Sequence, residues 1–465
     1  MPEQNGIVLG ALSPHPPILV PEIGRENLRQ VEKTTKAMKE LAQRIVAANP
    51  ETAILISPHG PVFHDAVAMN FAPRLAGDFG GFGVGSVSLD FGNDLPLAQA
   101  IQRAVEDAGI RVAALDEKKA RQYGVDNELD HGALVPLYFL SQAGYRGRLV
   151  SMTMGFLSPV ELYSIGPAIR RAVEEAGRRA VLVASGDLSH RLIPGAPAGY
   201  NPAGKEFDAK VVELLKAGDV EGLLTLDATF TEKAGECGYR PILMMLGAFE
   251  GHRVVPRVLS YEGPFGVGYA VAVIEPGPAD GARRFLARLE ARREADIRQA
   301  RAGESPYVTL ARQTVEAYVR EGRRLRPPKP IPAGMEKRAG VFVSLKKHGQ
   351  LRGCIGTTGP TEPDIAAELI QNAIHAATQD PRFDPVEPEE LEDLVYTVDV
   401  LTEPEPISGL EELDPAKYGV IVRKGYRTGL LLPDLEGIDT AEEQVAIAKR
   451  KAGIGPDEEV ELQRF

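Results

Sequence analysis

The tripeptide Ser-Pro-His occurs twice near the start of the chain, as Ser13-Pro14-His15 and Ser57-Pro58-His59, each time after an apolar run. A third apolar run, residues 180–184, ends in Ser185-Gly186-Asp187-Leu188-Ser189-His190. Short β-branched runs bounded by Pro or Gly read as buried strands, so three strands each deliver an imidazole just past their carboxyl ends. In an open α/β sheet that edge is where loops converge on a crevice and ligands bind. Three histidines on one rim suit a metal or an acid/base site. Iron(II) centres that activate dioxygen commonly use two histidines and one carboxylate. His15 and His59 supply the imidazoles, and Glu236 is the favoured carboxylate because it lies in a Gly-flanked loop just before an apolar helix. His190 then stays unligated as an acid/base, a task that a pKa near neutrality suits.

The elements that must position these groups alternate. Residues 26–48 place Leu28, Val31, Met38, Leu41 and Ile45 at helical spacings between the first two strands. Residues 77–95, rich in Gly and Phe, read as an edge strand or an excursion. A helix over 96–108 and a strand over 111–115 follow. Asp130 can cap a helix that starts near His131, which places this imidazole at the positive end of a helix dipole. A strand over 148–155 precedes Ser158-Pro159-Val160-Glu161, a capping box with Pro at the first helical position. This alternation predicts an α/β domain, a mainly parallel sheet covered by helices. After a loop over 193–204, helical segments at 205–216, 220–226 and 242–249 and strands at 254–261 and 266–274 complete it. Residues 1–275 form this domain, 276–304 read as a charged helical linker, and 305–465 form a second domain. There a helix over 305–319, a hairpin through His348-Gly349, a helix over 362–378 and further strands at 394–401, 418–423 and 428–432 predict an α+β fold with an antiparallel sheet.

Bulk properties bound the function. A length of 465 residues exceeds one ordinary core. A hydrophobic fraction of 43% and a charged fraction of 25% are those of a soluble globular protein. No segment approaches the roughly 20 apolar residues of a membrane helix, and the N-terminus lacks the basic region of a signal peptide. A cytoplasmic protein with no membrane contact is expected. The net charge of -12 argues against general nucleic-acid binding. The local basic run at Arg323, Arg324, Arg326, Lys329, Lys337 and Arg338 reads as a solvated rim. Two cysteines, Cys237 and Cys354, exclude a disulfide framework.

Ser13-Pro14-His15, Ser57-Pro58-His59, Asp130-His131-Gly132 with Val135-Pro136-Leu137, and Gly186-Asp187-Leu188-Ser189-His190 together resemble the spaced motifs of class III extradiol ring-cleavage dioxygenases, the LigB superfamily, and of the related Memo proteins. The resemblance spans residues 6–274. It implies iron(II) held by His15, His59 and Glu236, His190 as catalytic acid/base, His131 as a substrate-binding group or a support for the ligands, and a small aromatic or other chelating substrate. Cys237-Gly238-Tyr239-Arg240-Pro241 also matches the Cys-Gly-x-x-Pro context of Memo proteins, which makes Cys237 the alternative ligand. Adjacent side chains in an extended segment point opposite ways, so Glu236 and Cys237 do not serve one ion together. A thiolate would favour zinc or copper. His64 is a further ligand candidate that reads first as a loop residue. In the second domain, Leu351-Arg352-Gly353-Cys354-Ile355-Gly356 and Gly429-Leu430-Leu431-Leu432-Pro433 resemble the AMMECR family over residues 305–465. Glycines beside Cys354 permit close approach of a ligand, Arg352 could hold an anion, and Arg382 and Asp384 could line the same groove. The fusion resembles the AmmeMemoRadiSam set, in which these domains accompany a radical SAM protein. The chain lacks a cysteine triplet for an iron–sulfur cluster, so radical chemistry would belong to that partner. A non-catalytic metal-binding or scaffold protein is the competing expectation.

Overall fold

In the computed structural model, residues 5–347, 350–435 and 438–465 are described. The chain forms two compact units that divide between Leu289 and Glu290. The first unit contains β1 (Gly6–Ser13), β2 (Thr52–Ser57), β3 (Ala66–Asn70), β4 (Arg74–Phe79), β5 (Val84–Gly92), β6 (Arg111–Leu115), β7 (Arg148–Thr153), β8 (Arg179–Ser185), β9 (His252–Glu262) and β10 (Tyr269–Ala279). Eight of these form one sheet in the order β6-β3-β7-β2-β8-β1-β10-β9. The central strands β7, β2, β8 and β1 run parallel. β10 and β9 add antiparallel pairings at one side. At the other, β3 pairs antiparallel with β7 and parallel with β6.

Every residue of β2 is buried, as expected of a parallel strand covered on both faces. Alternation then sorts the side chains. Leu12, Ile54, Ile56, Leu182 and Ala184 join one core, whereas Leu9, Ala11, Ala53, Leu55, Val181 and Val183 join the other. Helices α1 (Glu32–Ala47) and α3 (His131–Gln142) cover the second core. α2 (Leu95–Asp107), α4 (Pro159–Glu175), α5 (Pro202–Ala217) and α6 (Tyr239–Gly247) cover the first. The capping box of α4 forms as read, with Ser158 and Glu161 satisfying one another's backbone N–H groups.

Several details differ from expectation. The helix expected over 26–48 is a 3-10 segment until Val31 and an α-helix from Glu32. β3 was not anticipated, and residues 117–123 and 228–234 are helical. The excursion over 77–95 is the separate hairpin β4–β5. The segment expected to be linker begins inside β10, and Phe285, with Leu286 and Leu289 beside it, packs into the first unit's core.

The second unit contains α7 (Pro306–Glu321), β11 (Val341–Lys347), β12 (Gln350–Gly356), α8 (Ile365–Thr378), β13 (Leu394–Val400), β14 (Glu405–Ile407), β15 (Val420–Lys424), β16 (Arg427–Leu431), α9 (Ala441–Lys451) and β17 (Glu461–Arg464). It is α+β, with two antiparallel sheets of order β12-β11-β13 and β14-β17-β15-β16. The expected turn at His348-Gly349 lies outside the described residues. β14, β17 and α9 were not anticipated. Among the described residues, no helix is long and apolar enough to cross a membrane.

Candidate metal centre

β1 ends at Ser13, and Pro14 turns the chain so that His15 lies buried behind the rim, 1% exposed. Its backbone N–H donates to Asp187 Oδ1 at 2.9 Å. Its Nδ1 lies 2.9 Å from Ser185 Oγ, and that hydroxyl donates its own proton to the Gly132 carbonyl. Ser185 must therefore accept from His15 Nδ1–H, which leaves Nε2 as a lone-pair donor. His59, just past β2, brings its Nε2 within 2.9 Å of that atom. Cys237 Sγ lies 3.6 Å from His15 Nε2. These three ligand atoms all fall within 4.8 Å of one another and are, among the described residues, the one His, Cys or carboxylate group that converges in this way.

Burial, reinforced by His131 and His190, holds His15 well below the usual imidazole range. Burial, then His15 and His131, pulls His59 down to about 3, with Asp130 opposing. Both rings are thus neutral near pH 7, the form that ligates a metal. Burial and the Asp187 carboxylate push the Cys237 thiol well up, while the Asp187 backbone N–H donates to Sγ at 3.3 Å. A cation among these atoms would reverse that balance and deprotonate the thiol. The donor set fits a metal ion: two neutral imidazoles that present Nε2 to each other, and a thiol whose ionisation a positive charge among them would favour.

Glu236, the favoured third ligand, does not join the converging group, and Cys237, the alternative, does. The buried carboxylate of Glu236 accepts from the backbone N–H of Tyr239, the first residue of α6, and lies 3.8 Å from Arg240 Nη1. A helix start leaves such N–H groups without intrahelical acceptors, and Glu236 serves one of them. Its neighbour Cys237 consequently faces the histidines. Burial pushes the Glu236 carboxyl up to about 7, against the Tyr239 N–H and the Arg240 charge.

His190 stands outside the ligand group, half-buried, with Nδ1 2.9 Å from the Gly235 carbonyl. A carbonyl only accepts, so Nδ1 carries the proton and Nε2 is free in the neutral ring. His131 opens α3, its ring stacked on His59 at 4.5 Å and set edge-on to His15 at 5.4 Å. The Asp130 cap accepts from Ala133 N–H and from Ser57 Oγ, tying the second Ser-Pro-His to α3. His64 packs against Phe156 at 5.3 Å and is not in the converging group.

Asp187 was missed as a site residue. It is buried, and burial raises its carboxyl against the pull of the His15 N–H and the charges of His190 and His131. Its position inside the Gly-Asp-Leu-Ser-His motif was the available signal.

In the second unit, Arg352 makes a two-pronged ion pair with Glu390, at 3.0 and 2.8 Å, and donates to the carbonyls of Asp384 and Pro385. The guanidinium expected to be able to hold an anion thus already pairs with a carboxylate of its own unit. Cys354 lies 3.2 Å from Ser344 Oγ through its thiol, and its backbone N–H donates to Asp380, which also pairs with Arg382.

Residues 9–272 match the family described as the catalytic LigB subunit of aromatic ring-opening dioxygenase, and residues 308–465 match AMMECR1. Protein CA_C1420 of Clostridium acetobutylicum is 42% identical over 456 residues, 98% of this chain and 97% of its own length. A Thermotoga maritima protein is 57% identical over 166 residues, 35% of this chain and 95% of its own. The crystal structure of uncharacterized protein PH0010 from Pyrococcus horikoshii is similar at 39% identity over 34% of this chain and 86% of that one, with a TM-score of 0.32. The chain belongs to the family of the catalytic LigB subunit of aromatic ring-opening dioxygenase and carries an AMMECR1 domain after it.

Proposed function

We propose that the first unit is an iron(II)-dependent oxidoreductase that oxidises a small aromatic or other chelating substrate with dioxygen. The observation that carries this reading is the convergence of His15, His59 and Cys237 on the rim of a LigB-family fold. When bound, iron(II) supplies a Lewis acid that can also exchange electrons with dioxygen. Ser185 and Asp187 keep His15 in its ligating tautomer and place. His190 Nε2 takes a proton from a substrate hydroxyl while Gly235 holds its Nδ1–H. His131, stacked on His59, orients the substrate on the side of α3.

The thiol in place of a carboxylate favours a second reading. Thiolate suits zinc or copper, and such a centre would serve a binding protein that presents its AMMECR1 domain to a radical SAM partner. Anaerobic loading with iron(II), zinc or copper(I), followed by metal analysis and oxygen uptake with catechols, separates the two. Cys237→Ser is expected to weaken metal retention more than 100-fold and Glu236→Gln less than tenfold, against the roughly 10–100-fold typical of groups that support ligands. His190→Ala should retain the metal and lose oxygen uptake. Background uptake with every metal selects the second reading. Metal content indifferent to both His15→Ala and His59→Ala would sink both.

A further inference from the structure

The hairpin β4–β5 pairs with no strand of the large sheet, yet it is pressed onto the segment that leads into His131. Leu129 N–H donates to the Ala76 carbonyl at 2.8 Å. A Cβ at Gly77 would stand 2.6 Å from the Leu129 carbonyl oxygen, so only glycine allows this approach. At the tip, residues Gly80–Phe82 make a single 3-10 turn closed by Gly83 at φ 80°. Gly81 and Gly83 have open space around them.

That turn carries Phe82 edge-on to His131, with ring centroids 5.6 Å apart, and leaves it 45% exposed. His131 is stacked on His59, which is partly exposed. Three rings thus run in a row from the hairpin tip to the ligand group. The buried anchor at the base of this turn is Phe79, 0% exposed, with the half-exposed ring of Phe82 6.5 Å from it. A half-exposed aromatic ring held beside an imidazole row offers a face to another planar ring.

Resting on the reading of this centre as one that takes a chelating substrate, we propose that Phe82 is a specificity-determining residue that contacts the ring of a planar aromatic substrate. The β4–β5 hairpin is then the wall that selects for such a ring. Polar oxygens of the substrate face His59 and His131, and the apolar edge meets Phe82.

The test uses the full chain, loaded anaerobically with iron(II), and calorimetric titration with catechol, naphthalene-2,3-diol and the non-aromatic chelator acetohydroxamate. Phe82→Ala is expected to weaken both aromatic probes about tenfold, the size of one lost aromatic contact with its buried area. Acetohydroxamate affinity and metal content should stay unchanged. Phe82→Trp should restore aromatic binding, and Phe82→Leu should restore it only in part. Equal affinities in wild type and Phe82→Ala, or equal weakening of all three probes, would overturn the role of Phe82 while leaving the metal centre standing. Failure of all three probes to bind wild type would instead remove the chelating-substrate reading, and this inference with it.

Discussion

Replacing Gly186 by alanine tests how the chain holds Cys237 against His15. A Cβ at Gly186 would stand 2.1 Å from the Gly238 Cα, backbone against backbone, where neither side can rotate away. Carbon atoms pack at roughly 3.5–4.0 Å, so the loops after β8 and before α6 must part by more than about 1 Å. Three hydrogen bonds cross this joint: Cys237 N–H and Gly238 N–H donate to the Asp187 carbonyl at 3.3 and 2.8 Å, and Asp187 N–H donates to Cys237 Sγ at 3.3 Å. Overpacking costs about 1–3 kcal/mol and each weakened bond up to about 1 kcal/mol, which together give a destabilisation of about 1–6 kcal/mol. The thiol, already 3.6 Å from His15 Nε2, moves outward with its loop. Metal retention should fall at least 10–100-fold. Denaturant unfolding of the metal-free chain measures the first effect and competition with a graded chelator the second. Gly92→Ala, in open space, is the control and should stay within about 0.5 kcal/mol of wild type. A Gly186→Ala chain with the wild-type midpoint and chelator resistance would refute the reasoning.

Ser185→Ala removes the acceptor that fixes the His15 tautomer and should weaken metal binding about 10–100-fold without unfolding the chain; chelator competition indistinguishable from wild type would count against that role. Glu390 gives a pH dependence in the second unit. Burial opposes its ionisation, but Arg352, the Glu387 N–H and Lys347 outweigh burial and hold it at about 2. Its folded pKa lies below the unfolded value, so its stabilisation is complete above about pH 5 and is lost as pH falls toward 2. Wild type should lose about 2–3 kcal/mol over that range that Glu390→Gln does not lose, and parallel acid unfolding curves for the two would contradict this.

What could be read from the sequence divides along the range of the forces involved. The strand ends carrying His15, His59 and His190 were legible because an apolar run ending in a polar turn is a local signal. β3 was not, since Ala66-Val67-Ala68-Met69-Asn70 is short, carries one β-branched residue, and owes its place to pairing with β6 and β7. Arg352 read as a group that could hold an anion because its partner Glu390 lies 38 residues further on. The sequence favoured Glu236 over Cys237 for a smaller reason. The apolar pattern starts α6 at residue 242, whereas the helix begins at Tyr239, and those three residues decide whether Glu236 has a backbone N–H to accept from.

That three-residue difference also bears on the chemistry. With α6 starting at Tyr239, its first N–H group holds the Glu236 carboxylate, while the next side chain, Cys237, faces His15. The contact of Gly186 with Gly238 then sets how near the thiol comes to the imidazoles. Helix start and glycine contact are separate features of the backbone, and together they leave Cys237 Sγ 3.6 Å from His15 Nε2 while Glu236 is held by Tyr239 and Arg240. Main-chain packing around the site, as much as the side chains that line it, thus decides which side chain of this loop faces the two imidazoles.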